Sequence, residues 1–184
     1  LSGARRGGGR RICVATGAPP PPTPEEIAAV KRGNYTSAEQ LAAGLSANIR
    51  YPANIELQRL MTKAFIDLVL EEETSCGGSV AKLTSRAVSL ICWLSRYQKE
   101  LFPDWKAPEV AVFLQFGRCA SDIGALFLRL LARLPVDVLV LLPNLNEGSV
   151  LRAPDLLEIH SPQSVAMDRF PVDQNQARVT TAAY

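Results

Sequence analysis

Between residues 109 and 148 the chain passes from an apolar run to a polar break, to an apolar helical pattern, and to a second apolar run. Residues 110–116 are apolar except for Gln115, and 117–122 are polar. Residues 123–134 place Ile, Leu and Phe at helical spacing, and 136–142 are apolar apart from Asp137. This order predicts strand, turn, helix and strand. Apolar runs with little polar alternation fit strands covered on both faces, as in a parallel sheet. Parallel neighbours need a crossover, and the helix between the runs has about the right length. The expectation is a right-handed βαβ unit at about 110–142, with Val112, Leu114, Leu126, Leu130, Val138, Val140 and Leu142 nearly fully buried.

Upstream, the pattern predicts helices. Thr23, Pro24 and Glu26 stand at the N-cap, N1 and N3 positions of a capping box, so a helix is expected over 24–32, ending at Gly33. Ser37 and Gln40 repeat the arrangement before a helix over 37–46, and Tyr51-Pro52 breaks the chain. Asn54 can cap a third helix, in which Leu57, Leu60, Met61, Ala64, Phe65, Leu68 and Val69 form one stripe. Glu71, Glu72 and Glu73 lie at its C-terminal end, where the helix dipole disfavours negative charge. A solvated last turn accounts for them, and a cation or a basic partner is the alternative. After Cys76-Gly77-Gly78, a fourth helix over about 79–101 puts Leu83, Ala87, Leu90, Ile91, Leu94, Tyr97 and Leu101 on one face, with Cys92 and Trp93 beside it. Residues 54–102 therefore read as an antiparallel helical pair, with a core stripe rather than a cofactor box.

The ends are less patterned. Residues 1–11 are rich in Gly and Arg and are expected to be disordered, 12–15 form a short strand candidate, and 12–53 hold that strand and the short capped helices. Residues 156–160 read as another short strand between Pro154 and Pro162, and 161–177 as loop. The chain starts at Leu1 and stops within a pattern that resembles a first helical turn, so the expectation is a piece of a longer protein, incomplete at the C-terminus. The fold class expected is α/β: a Rossmann-like parallel sheet with an added helical pair, the βαβ unit and its following loops occupying 109–184.

Composition narrows the function classes. Of 184 residues, 47% are hydrophobic and 21% charged, which suits a packed globular chain rather than a disordered one. The net charge of +2 arises partly from Arg5, Arg6, Arg10 and Arg11, so nothing points to nucleic acid. The four cysteines are far apart, without a CxxC pair, and His160 is the one histidine, which argues against a zinc site and for free thiols in a reducing cytoplasm. No apolar run approaches the roughly 20 residues needed to span a bilayer, no strongly basic amphipathic segment suggests a membrane surface, and no signal peptide is visible.

Ligands of open α/β sheets bind beyond the carboxyl ends of the strands, which directs attention to two segments. In 117–122, Gly117 permits a tight turn, Ser121 or Asp122 can cap the following helix, and Arg118 can pair with an anion. Neither GxGxxG nor a P-loop Lys-Ser/Thr pair is present, and Asp122 puts negative charge where an anion would sit. In 143–149, Asn144 and Asn146 are hydrogen-bonding groups, and Glu147 is a candidate base or magnesium ligand. Ordinary turn chemistry explains the same residues equally well. Cys119 lies near a helix N-terminus, which lowers a thiol pKa, but it has no base near in sequence. His160 is expected to be structural, and no GxSxG elbow exists. No metal site and no cofactor is indicated.

The segments PPPTPEE (20–26), FGRCASDIGALFLRLLARLPVDVLVLLPNLNEGS (116–149) and RVTTAAY (178–184) resemble the bacterial YceG-like proteins, the likeness covering most of 12–184. That resemblance implies a Rossmann-like fold with helical additions and a role in a biosynthetic module encoded beside tellurite-resistance (Ter) stress genes. It further implies a small, anionic, nucleotide-like metabolite and other Ter-system proteins as partners. It carries over no catalytic residues. Whether the chain is an enzyme stays open: the residues fit a cytoplasmic protein that binds or processes such a metabolite, and equally a non-catalytic interaction protein of the same system that docks through its helical pair.

Overall fold

The computed structural model describes residues 3–7, 10–142 and 150–151, with side chains from Arg11 onward. Strand β1 (Gly3–Gly7) and β2 (Arg10–Thr16) are followed by helices α1 (Pro24–Ala29), α2 (Ala38–Ser46), α3 (Ile55–Ser75) and α4 (Val80–Leu101). Then come β3 (Ala111–Phe116), α5 (Asp122–Leu131) and β4 (Val136–Leu141). The described strands form one sheet in the order β1-β2-β3-β4. β2, β3 and β4 are parallel, with Ile12 beside Val112 and Ala111 beside Val136, while β1 pairs antiparallel with β2. The described chain is thus a mixed helix-and-strand structure built on a three-strand parallel sheet.

Strand alternation divides the sheet into two faces. Cys13, Phe113 and Gln115 point to the side of α4, which contacts β1, β2 and β3, and of α5, which contacts β4. Phe113 is fully buried there, edge-on to Tyr97 at 5.4 Å and to Phe127 at 6.0 Å, and Trp93 meets Phe127 at 5.4 Å. Such ring pairs add to simple area burial, and they lock α4 and α5 over the sheet. Beyond α4 lie α1, α2 and α3, and α3 also contacts α5. All seven residues of the α4 stripe are buried, as are Cys92 and Trp93. In the α3 stripe Leu60 is the exception, at 41% exposed.

Caps formed where the sequence places them. Thr23 and Glu26 make the reciprocal capping box, and Asn54 caps α3 through the Leu57 N–H. Ser37 caps α2, but Gln40 accepts from the Thr36 N–H and hydroxyl rather than closing a box on Ser37. α1 stops at Ala29, short of Gly33, because Val30 turns extended and buries its side chain. Asn48 then holds the departing chain, accepting from the Lys31 N–H at 2.8 Å and donating to the Lys31 carbonyl at 2.9 Å. Residues 19–22 are clamped to α4 by the Trp93 indole and Arg96, which donate to the Pro20 carbonyl, and Arg96 grips Glu26 with two nitrogens.

Three expectations need correction. Gly3–Gly7 is a strand rather than part of a disordered tail, because backbone pairing to the free edge of β2 needs no apolar side chain. β4 is not covered on both faces: Val138, Val140 and Leu142 are half-buried, while Leu139 and Leu141 are 49% and 37% exposed. It is an edge strand among the described residues, so it lacks the second neighbour that shields β3, whose Val112 and Leu114 are buried as expected. The acidic end of α3 is not simply solvated either. Glu71 pairs with Arg129 and Arg133 of α5, and the buried Glu72 pairs with Arg86 of α4, so the basic partner lies within the chain. The strand candidate at 156–160 and His160 lie outside the described residues.

Candidate functional site

The three parallel strands end level with one another at Thr16, Phe116 and Leu141. The ladder continues one residue past the first two. The Gly17 N–H donates to the Phe116 carbonyl at 2.7 Å, and the Gly117 N–H to the Leu141 carbonyl at 2.8 Å. Both glycines then leave the strands with positive φ, +82° at Gly17 and +109° at Gly117. Only glycine adopts such backbone readily, so the turn out of β3 depends on Gly117.

The loop that follows is pinned on every side. Gln115, buried within the apolar run of β3, donates its amide to the Arg118 carbonyl at 3.1 Å. Ser121 caps α5, its hydroxyl accepting from the Gly124 N–H at 3.2 Å. The loop folds tightly over this first turn: a Cβ on Gly124 would meet Ser121 Oγ at 3.0 Å and Cys119 Sγ at 3.5 Å. The Val150 N–H donates to the Cys119 carbonyl at 3.0 Å, which returns the chain to this loop after the stretch that begins beyond Leu142. Within the loop Arg118 and Asp122 are exposed and Cys119 is buried.

This arrangement decides some of the expected chemistry. Burial pushes the Cys119 thiol above its ordinary pKa, against a smaller opposing contact with the Ser121 backbone. Burial thus acts against the lowering expected from the helix N-terminus, and the Cys119 thiol is packed inside the loop. Asp122 lies 3.9 Å from the Arg86 guanidinium, which also holds Glu72, so part of the negative charge at the start of α5 is offset. Gly117, Arg118 and Ser121 are thus on one loop at the strand ends. Asn144, Asn146 and Glu147 lie outside the described residues. Gly17, Gln115 and Arg86 were given no part in the site from the sequence, although Gln115 stood out as the single polar residue in its run. Among the described residues no group of three or more His, Cys, Asp or Glu is arranged to hold a metal ion, and no helix is long and apolar enough to cross a membrane.

Three parallel strands thus end at a glycine turn and a capped helix within a mixed helix-and-strand structure. The family model described as YceG domain matches residues 20–184, and the chain belongs to that family. No curated protein and no solved structure matches it.

Proposed function

We propose that this chain is a cytoplasmic component of a Ter-linked bacterial stress module, binding or processing an anionic, nucleotide-like metabolite at the carboxyl ends of its parallel strands. In this reading the domain is Rossmann-like and α3 with α4 is its helical addition. The observation that carries it is the pinned loop at 117–122, with an exposed arginine and a capped helix start on the edge where α/β sheets take ligands. The hydrogen bond from the Val150 N–H to the Cys119 carbonyl supports the same edge, because it brings Val150 to this loop. Arg118 and the α5 N-terminus would hold the anionic group; Asn144 and Asn146 would face the rest of the ligand, and Glu147 would act as base if turnover occurs. Native mass spectrometry of the protein isolated from bacterial cytosol tests for a co-purifying anion. Titration calorimetry with that molecule should show Arg118→Ala losing about 1.5–3 kcal/mol of binding, the range for charged hydrogen bonds, with the melting curve unchanged. Unchanged affinity would remove the anion site.

A second reading, a non-catalytic interaction protein of the same system, is favoured by the outer side of α3. Ile55 and Leu60 are exposed there, beside a shallow groove of about 450 Å³ lined by Gln58, Arg59, Thr62, Lys63, Ile66 and Asp67. Isolated protein carrying no small anion, together with an unchanged affinity in the Arg118 variant, would put this reading first.

A further inference from the structure

The segment between β2 and α1 lies on α4 as a bound peptide would. Pro19, Pro20, Pro21 and Pro22 fix φ, and each pushes the residue before it to extended backbone, so the stretch runs as polyproline II with its carbonyls free. Pro19 is buried, and the Pro20 carbonyl accepts from the Trp93 indole at 2.9 Å and from Arg96 Nη1 at 3.0 Å. Grooves lined by aromatic side chains recognise proline-rich segments through this preformed conformation. Beyond the prolines, Arg96 grips the Glu26 carboxylate with Nε at 3.1 Å and Nη2 at 2.6 Å. Little else holds the segment. α1 contributes no buried residue, whereas α2, α3, α4 and α5 each bury several. Ile27 is half-buried, and the Arg96–Glu26 clasp is 24% and 32% exposed. Few buried apolar contacts and solvent-facing bonds mark a segment that opens well before the whole protein unfolds. Both roots are firmer: the Gly17 N–H donates to the Phe116 carbonyl, and Asn48 holds the Lys31 backbone beside the buried Val30.

We propose that Trp93 and Arg96 form a polyproline-recognition groove on α4 that the chain fills with its own residues 19–26, and that this strap releases between its two roots to admit a proline-rich segment followed by a carboxylate. The strap itself defines that chemistry: a proline-flanked carbonyl for the indole and a downstream carboxylate for the guanidinium. Cys92 reports on the strap's position. It stands one turn before Arg96 on α4 and is 4% exposed. Burial is the main reason its thiol is raised above the ordinary pKa, and the Glu26 charge is the next, so the strap's carboxylate lies close to it. The proposal does not depend on a ligand at the strand ends.

The test is slow alkylation of the whole chain with N-ethylmaleimide, each cysteine followed by peptide mass mapping, with and without an acetylated peptide of residues 18–30 at millimolar concentration. Arg96→Met should speed Cys92 by roughly ten- to a hundredfold, the effect of losing a charged hydrogen bond, and leave Cys13 and Cys76 unchanged. The Arg96 charge lowers the Cys92 pKa, so its removal alone would slow the thiol, and acceleration reports exposure. Glu26→Gln should speed Cys92 too, and because its groove is intact the added peptide should protect Cys92 again. The same peptide should give no protection in Arg96→Met. A Cys92 rate that does not rise, or that rises only together with Cys13 and Cys76, would show that the strap does not release by itself and would overturn the proposal. Failure of the peptide to protect the Glu26 variant, or equal protection of both variants, would overturn the groove.

Discussion

Replacing Arg86 with alanine should destabilise the protein more than removing either of its acidic partners. Its side chain is 18% exposed, and Glu72, which it contacts from the neighbouring helix, is 7% exposed. Asp122, its second carboxylate at 3.9 Å, is 76% exposed. The three positions respond differently for that reason. Arg86→Ala strands a buried carboxylate, and loss of one partner from a buried pair costs about 3–5 kcal/mol. Glu72→Gln leaves an arginine that still has Asp122 and some water, so a charged hydrogen bond is weakened at a cost of about 1.5–3 kcal/mol. Asp122→Asn removes an exposed, long contact, for which about 0–1 kcal/mol is expected. The double variant Glu72→Leu/Arg86→Met removes the charge and its partner together and should recover most of the loss, since an apolar replacement of a buried pair is often neutral. Urea unfolding of the four variants gives these values. The reasoning fails if Arg86→Ala costs no more than Asp122→Asn, or if the double variant is as unstable as Arg86→Ala.

Glu71 gives a pH-dependent counterpart. The hydrogen bond from Arg133, reinforced by the charges of Arg133 and Arg129, holds its carboxyl below the usual range. A depressed folded pKa stabilises above the unfolded value, about 4.3 for Glu, and that stability is lost as pH falls through the folded value. Glu71→Gln should therefore flatten the decline in urea midpoint between about pH 5 and 3, and an unchanged slope would refute the pairing. Cys119 gives a chemical test. All four thiols are buried, and burial raises the pKa of Cys119, as it does for Cys13, which is pushed up to about 12. Ellman's reagent should label none of them in the native protein at pH 8 and all of them after unfolding; prompt labelling of Cys119 would show that its loop opens.

What could be read from the sequence was local. The capping box of Thr23 and Glu26 needs only two residues three positions apart and no tertiary partner, and it formed as written. The apolar runs around 110–116 and 136–142 each became a parallel strand, with the apolar helix α5 between them. Where the reading failed, the missing information was non-local. Leu139 and Leu141 are as apolar as Val138 and Val140, so the run could not reveal that β4 lies at an edge with one side open. Glu72 and Arg86 meet only because α3 and α4 pack together, and Pro20 is held by side chains more than seventy residues away. Gly3–Gly7 pairs through its backbone, which composition does not report.

The same distinction runs through the candidate site. Gly117 is required by the positive φ that turns the chain out of β3, and Ser121 by the free N–H groups at the start of α5. Either residue would be needed if no ligand ever bound, so neither can separate a binding edge from an ordinary strand-to-helix turn. Gln115 and Cys119 likewise point into the protein and hold the loop together. Arg118 differs. Its carbonyl serves the loop by accepting from Gln115, but its side chain is exposed, and the turn does not depend on it. Substituting the loop glycine or serine disturbs fold and function together, whereas Arg118→Ala leaves the frame in place and removes only the charge offered to an anion. The weight of the ligand reading therefore falls on that one side chain.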